Sequence, residues 1–135
     1  MMRRNTPIVR MREEDVYSIC EYALEFCQRE FGINRRLKKE LYVSLNYYEG
    51  EVSYSGGYCI KDNCIILMMR CNRKLIDLIG TFIHEYIHYK QPVRTKYDKL
   101  LKEYGYWDHP FEVEAREVAL KYRDKLYKEF RKINK

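Results

Sequence analysis

"TFIHEYIHYKQP", residues 81–92, carries two of the chain's three histidines four positions apart, with a glutamate beside the first. Leu75, Ile76, Ile79, Phe82, Ile83 and Ile87 recur at i, i+3, i+4 and i+7 spacing, which predicts a helix with one buried face. Asn72 offers an N-cap near its start and Pro92 a stop. Side chains four apart on a helix lie one above the other, so His84 and His88 aim two imidazoles at one point. Glu85 is turned about 100° around the axis. From there its carboxylate reaches a water beside a bound ion without becoming a ligand. Positions 82, 83, 86, 87 and 89 are uncharged, and Gly80, one turn before His84, leaves space on the same face. An ordinary core helix seldom stacks two histidines and adds a glutamate with no cation nearby. The pattern therefore predicts a zinc site of the HExxH kind.

Zinc in a catalytic site takes three protein ligands and keeps a fourth position open. The third ligand is sought in "YWDHPFEVEAREVALKY", where His109, Glu112 and Glu114 are the candidates. Pro110 suits the first turn of a helix running almost to the C-terminus. Glu112 then lies in that first turn beside the apolar stripe Phe111, Ala115, Val118 and Tyr122, where free N–H groups and the positive helix end support a carboxylate. Glu114 is about 200° away around the same helix. Helix position thus favours Glu112, with His109 and Glu114 as the alternatives.

Upstream, Val16, Ile19, Cys20, Ala23, Leu24 and Cys27 give an amphipathic helix over about residues 13–31, with Gly32 as its C-cap and a loose arm before it. In "LYVSLNYY" the residues Leu41, Val43, Leu45 and Tyr47 alternate with polar or aromatic neighbours, the period of a half-buried strand. "GYCI", a "KDN" turn and "CIILMMR" read as a hairpin whose second strand is apolar enough to be central. "TKYDKLLKEYG" predicts a short helix with a Thr95/Asp98 capping box and Gly105 as its stop. The expected fold is α+β: a small zincin-like domain with a three-stranded, mainly antiparallel sheet on an N-terminal helix, the HExxH helix and a long C-terminal glutamate helix.

The chain has 135 residues, 46% hydrophobic and 34% charged, enough for one globular domain and not for two. Its longest apolar run, "IILMM", is far short of the roughly 20 residues that span a bilayer, and the start lacks the apolar core of a signal peptide. No membrane association and a cytoplasmic location are expected. Five cysteines without a CxxC pair argue against a disulfide framework or a thiolate zinc knuckle. The net charge of +6 is spread among acids, so no dedicated nucleic-acid face is predicted.

With "HEYIH" and "FEVEAREVA" placed, residues 40–122 resemble the gluzincin zinc metallopeptidases, and more narrowly the minigluzincins, small soluble archaeal proteins. They are also similar to the catalytic domains of membrane peptidases of the HtpX and CAAX-endopeptidase type. The resemblance implies a metalloendopeptidase acting on peptide or protein substrates, with His84, His88 and Glu112 as zinc ligands and Glu85 as catalytic base. It makes Gly56, Gly57, Tyr58 and Cys59 the edge strand that pairs with substrate. Candidate oxyanion donors are Tyr104, Tyr106, His109 and Arg116. Arg116 stands where the membrane relatives have an aspartate that buttresses a ligand histidine, which leaves Asp108 or Glu117 to take that part. His109 as ligand would instead resemble the three-histidine site of SprT-type DNA-repair peptidases, but "HPFE" lacks their glycine after the histidine. A non-catalytic zinc protein or an SprT-like, nucleic-acid-associated one is the alternative function. Residues 122–135 carry a further apolar stripe, Tyr122, Leu126, Phe130 and Ile133. It packs either on the domain's own helices or over the cleft as a latency segment, within one chain or in a homodimer, as minigluzincins imply.

Overall fold

A computed structural model describes residues 2–134. After a short 3-10 turn at Ile8–Arg10, the elements run α1 (Glu13–Phe31), β1 (Tyr42–Asn46), β2 (Gly56–Cys59), β3 (Cys64–Met68), α2 (Leu75–Lys90), α3 (Val93–Tyr104) and α4 (Pro110–Ile133). The fold is α+β, with four α-helices and one small sheet.

The sheet is mixed, not mainly antiparallel, and its strand order is β1-β3-β2. β2 and β3 form the expected antiparallel hairpin, while β1 pairs with β3 in parallel, Val43 opposite Ile65 and Leu45 opposite Leu67. The cause is the apolarity of β3. Cys64, Ile65, Leu67 and Met68 are buried, so the strand needs a neighbour on each side. β1 therefore flanks β3 on the edge away from β2, and residues 47–55 carry the chain across to start the hairpin. Leu41, Val43 and Leu45 face the core as expected, whereas Tyr47 is exposed.

α2 is the element on which the others pack: α1 and α4 flank it, and β2 and β3 lie against it. Its buried face includes Leu75, Leu78, Ile79, Phe82, Ile83 and Tyr86. Asn72 is not its N-cap; the helix begins after Lys74. Asn72 is instead buried, its amide donating to the carbonyls of Ser55 and Met68 (2.9 Å each) and its carbonyl accepting from the Thr81 hydroxyl (2.7 Å). This bracket ties the start of β2 and the end of β3 to α2. The N-terminal arm is not loose either. Carbonyls of Thr6 and Arg4 accept the free N–H groups of Leu75 and Ile76, a backbone cap in place of a side-chain one.

α3 begins at Val93, two residues before Thr95, so the Thr95/Asp98 box does not form. Gly32 and Gly105 end α1 and α3 with φ of 78° and 76°, a region that favours glycine. In the second half of α4, Leu126, Tyr127 and Phe130 are buried, with Tyr22 of α1 tilted against Phe130 at 5.6 Å between ring centroids. Arg29–Glu129 and Lys125–Glu30 ion pairs flank that contact. The stripe Tyr122, Leu126 and Phe130 thus packs on the domain's own helices, while Ile133 is exposed. All five cysteines are free thiols, with Cys59 opposite Cys64 across the hairpin. No described helix is long and apolar enough to cross a membrane.

Candidate metal centre

His84 and His88 project from adjacent turns of α2, and the first turn of α4 delivers Glu112 to meet them. Nε2 of His84 lies 3.0 Å, and Nε2 of His88 3.1 Å, from the same Glu112 oxygen, Oε1. The two Nε2 atoms are 3.2 Å apart. Among the described residues this is the group of histidine, cysteine and acidic side chains whose donor atoms converge within 4.8 Å. His88 and Glu112 are buried, and His84 is half-buried toward the cleft.

Hydrogen bonding fixes which atoms of His88 are donors. Gln91 gives both amide hydrogens away, to the Phe111 carbonyl (3.0 Å) and to Oε1 of Glu114 (2.8 Å). Its own Oε1 must then accept, at 2.7 Å, from Nδ1–H of His88. Neutral His88 therefore turns an Nε2 lone pair toward a carboxylate oxygen and a second imidazole nitrogen. Lone pairs do not converge at 3 Å without a positive charge between them, either a proton or a metal ion. Burial lowers the His88 pKa, but the bond to Glu112 and the neighbouring carboxylates outweigh it and leave the net shift upward. Burial would raise Glu112, yet hydrogen bonds from His84, His88 and Tyr97 hold it well below the usual carboxylate range. The donor set fits zinc. Imidazole and carboxylate are its ordinary ligands, and bonds of about 2.0–2.1 Å in a tetrahedron place neighbouring ligand atoms about 3.3 Å apart.

The buttress of His88 is Gln91 backed by Glu114; among the described residues none of Asp108, Glu117 and Arg116 is hydrogen-bonded to either histidine. Arg116 stacks its guanidinium 4.1 Å over the Trp107 ring and donates to the Trp107 carbonyl. Neither alternative third ligand joins the cluster. The Glu114 carboxylate is turned to Gln91. His109 is fully buried as the N-cap of α4, Nδ1 accepting from the Phe111 N–H (3.0 Å) and Nε2 donating to the Tyr97 carbonyl (3.0 Å). With both nitrogens engaged, it offers nothing to an oxyanion. It stacks on Tyr97 at 4.1 Å instead.

Tyr97 had no sequence signal beyond its place one turn after Val93 in a lysine-rich helix. Its hydroxyl donates to Oε2 of Glu112 at 2.6 Å, fixing the carboxylate oxygen that the histidines leave free. Gln91 lay in plain sight at the end of the opening motif, three residues after His88, a helical spacing that puts it over the same face.

The cluster opens on a cleft with two halves that share Tyr54, Gly56, His84, Glu85 and Tyr106. One, of about 300 Å³, runs along Gly56, Gly57 and Tyr58 of β2 toward Val93 and Tyr97. Cys59 does not line it; its thiol donates to Asp62. The other, of about 570 Å³, passes Ser53–Ser55 and reaches Arg116 and Arg123. Glu85 is buried at their junction, and desolvation pushes its carboxyl above the ordinary value, against the pull of His84 and His88. Tyr106 stands at the same junction. Burial, with Glu112 and Glu85 nearby, raises its pKa and keeps its hydroxyl protonated. Tyr104 is exposed and lines neither half.

Compared with known protein families, curated proteins and solved structures, the chain matches none.

Proposed function

We propose that the protein is a zinc-dependent endopeptidase of gluzincin type, close in kind to the minigluzincins. The observation that carries this reading is the convergence of His84 Nε2, His88 Nε2 and Glu112 Oε1 at the wall of an open cleft with Glu85 at its junction. A purely structural zinc site has four protein ligands and is closed; this one has three and faces a cleft. Zinc held there supplies Lewis acidity toward a peptide carbonyl and toward water.

The chain's own residues do the rest. The Glu85 carboxylate takes the proton of the attacking water and passes it to the leaving amine, a role worth about 10²–10⁴ in rate. Its raised pKa suits both halves of that task, because the ideal base has a pKa near the working pH. Of the candidate oxyanion donors, Tyr106 alone stands at the junction beside His84 and Glu85, with its hydroxyl protonated, so it is the residue assigned to the developing oxyanion. Substrate lies extended beside β2, an edge strand with backbone groups free to pair.

Metal analysis of the purified protein with a peptide-cleavage screen tests the reading. Glu85→Gln is expected to keep one zinc per chain and lose cleavage. A variant that still cleaves sinks the mechanism, and a wild-type protein that binds zinc and cleaves nothing returns it to the non-catalytic class.

A further inference from the structure

The larger half of the cleft carries chemistry that peptide hydrolysis itself does not require. Glu112, Arg116, Ala119 and Arg123 follow one another at i, i+4, i+7 and i+11 on α4, which puts both arginines on the cluster's face of that helix. Opposite them on α2 is Gly80. A Cβ there would meet the Arg123 Cδ at 3.7 Å, so the Arg123 stem lies in the space a larger residue would take. Ala119 and Gly80 keep the trough between the helices open, and a basic side chain stands at each end of that stretch. Arg116 is held in place by the Trp107 ring and carbonyl.

Arg4, Arg12, Arg29 and Arg70 each pair with a carboxylate; among the described residues Arg116 and Arg123 pair with none. One buried N–H group of each, Arg116 Nη1 and Arg123 Nε, also lacks an acceptor among those residues. Apart from Glu85 at the junction, Asp77 is the acid lining this half. Away from the junction, two guanidiniums therefore stand against one carboxylate.

Resting on the peptidase reading, we propose that this half-cleft selects substrates bearing a carboxylate on the segment that lies along it. At about 1.5 Å of rise per residue, Arg116 and Arg123 are about 6 and 16 Å along α4 from Glu112. An extended peptide advances about 3.3 Å per residue. The carboxylate then sits about two residues from the scissile bond for Arg116 and about five for Arg123. Guanidinium is the group suited to bidentate pairing with a carboxylate. Its source is either an Asp or Glu side chain or the free C-terminus of a short substrate.

The test uses zinc-loaded Glu85→Gln protein, so that binding is read without turnover, and fluorescein-labelled decapeptides followed by anisotropy. Three peptides are compared: glutamates with an amidated end, glutamines with an amidated end, and glutamines with a free end. Either carboxylate-bearing peptide is expected to bind about tenfold or more tighter than the neutral one, and which one does so identifies the source. Arg116→Met and Arg123→Met should each remove most of that advantage while zinc content, thermal midpoint and affinity for the neutral peptide stay put. Arg123→Glu should turn the preference toward a lysine-bearing peptide. Equal binding of all three peptides overturns the proposal, as does an advantage that survives both methionine variants. An advantage that single-stranded RNA of equal charge reproduces overturns it too. If the advantage is present but wild-type protein cleaves none of the peptides, the peptidase reading fails and the carboxylate site stands.

Discussion

The least conspicuous residue of the metal cluster is Gln91, whose two ends are tied down so that His88 has one available tautomer. Gln91→Leu removes the acceptor on Nδ1 and leaves Glu114 and the Phe111 carbonyl without their donor. Loss of such an outer partner typically weakens metal binding about 10–100-fold. Competition titration against a chromophoric chelator should show a drop of that size with the fold intact; an unchanged affinity means the tautomer is not set by Gln91. His84, Glu85 and His88 were legible because helical periodicity alone puts them together. Glu112 was legible because a proline and an apolar stripe place it in a helix's first turn. Gln91 and Tyr97 were not, since an amide and a phenol have no spacing rule and their contacts to His88 and Glu112 arise only when α3 and α4 dock. Asp108 and Glu117, the expected buttresses, miss for the same reason: the partner of His88 is Gln91, just past the end of α2.

At the scale of elements, the contact between β2 and α2 sets the width of the cleft, and two adjacent glycines test it. A Cβ on Gly56 would sit 2.6 Å from Thr81 Cγ2, 2.9 Å from the Ile66 carbonyl oxygen and 3.4 Å from Glu85 Cγ. Gly57 has nothing within 4 Å of that position. Gly56→Ala must therefore push β2 away from α2 beside the catalytic candidate, at a cost of about 1–3 kcal/mol. Thermal unfolding should show a clear loss for Gly56→Ala and almost none for Gly57→Ala; equal behaviour rules out the close approach. The second half of α4 gives the other prediction at this scale. Truncation after Lys121 removes buried Leu126, Tyr127 and Phe130, each worth about 1.5–3 kcal/mol of burial. Their sum rivals the whole stability of a small domain, about 5–15 kcal/mol. Circular dichroism should report an unfolded or molten truncate, whereas a folded truncate with faster cleavage is what a latency segment requires. Periodicity made the helices readable in advance. The parallel β1–β3 pairing was not readable, because strand order follows from which strand needs two neighbours, a property of the assembled sheet and not of any one segment.

For the whole molecule, the cluster couples folding to protons and, with zinc bound as proposed, to metal. Without metal, the folded Glu112 has a depressed pKa, so its contribution is complete above the ordinary glutamate value of 4.5 and fades as pH falls through the folded value. The folded His88 has a raised pKa, so its contribution is complete below 6.5 and is lost as pH rises through the folded value. Glu85, raised by burial, works against the fold as it ionises above 4.5. The three together place the best stability of the metal-free protein on the mildly acid side, between about 4.5 and 6.5 as far as this site decides it. Zinc bound as proposed would reverse the trend, because it would take the His88 Nε2 lone pair that a proton otherwise occupies. Each proton displaced strengthens binding by about tenfold per pH unit while that group is titrating. Tighter binding raises stability in proportion to the logarithm of ligand over Kd. Melting curves with and without equimolar zinc should therefore nearly coincide at pH 5 and separate widely at pH 8. The separation should collapse in a His88→Gln variant. If zinc shifts the midpoint equally at both pH values, protons and metal are not competing for the same nitrogen, and the cluster is not the site at which the ion binds.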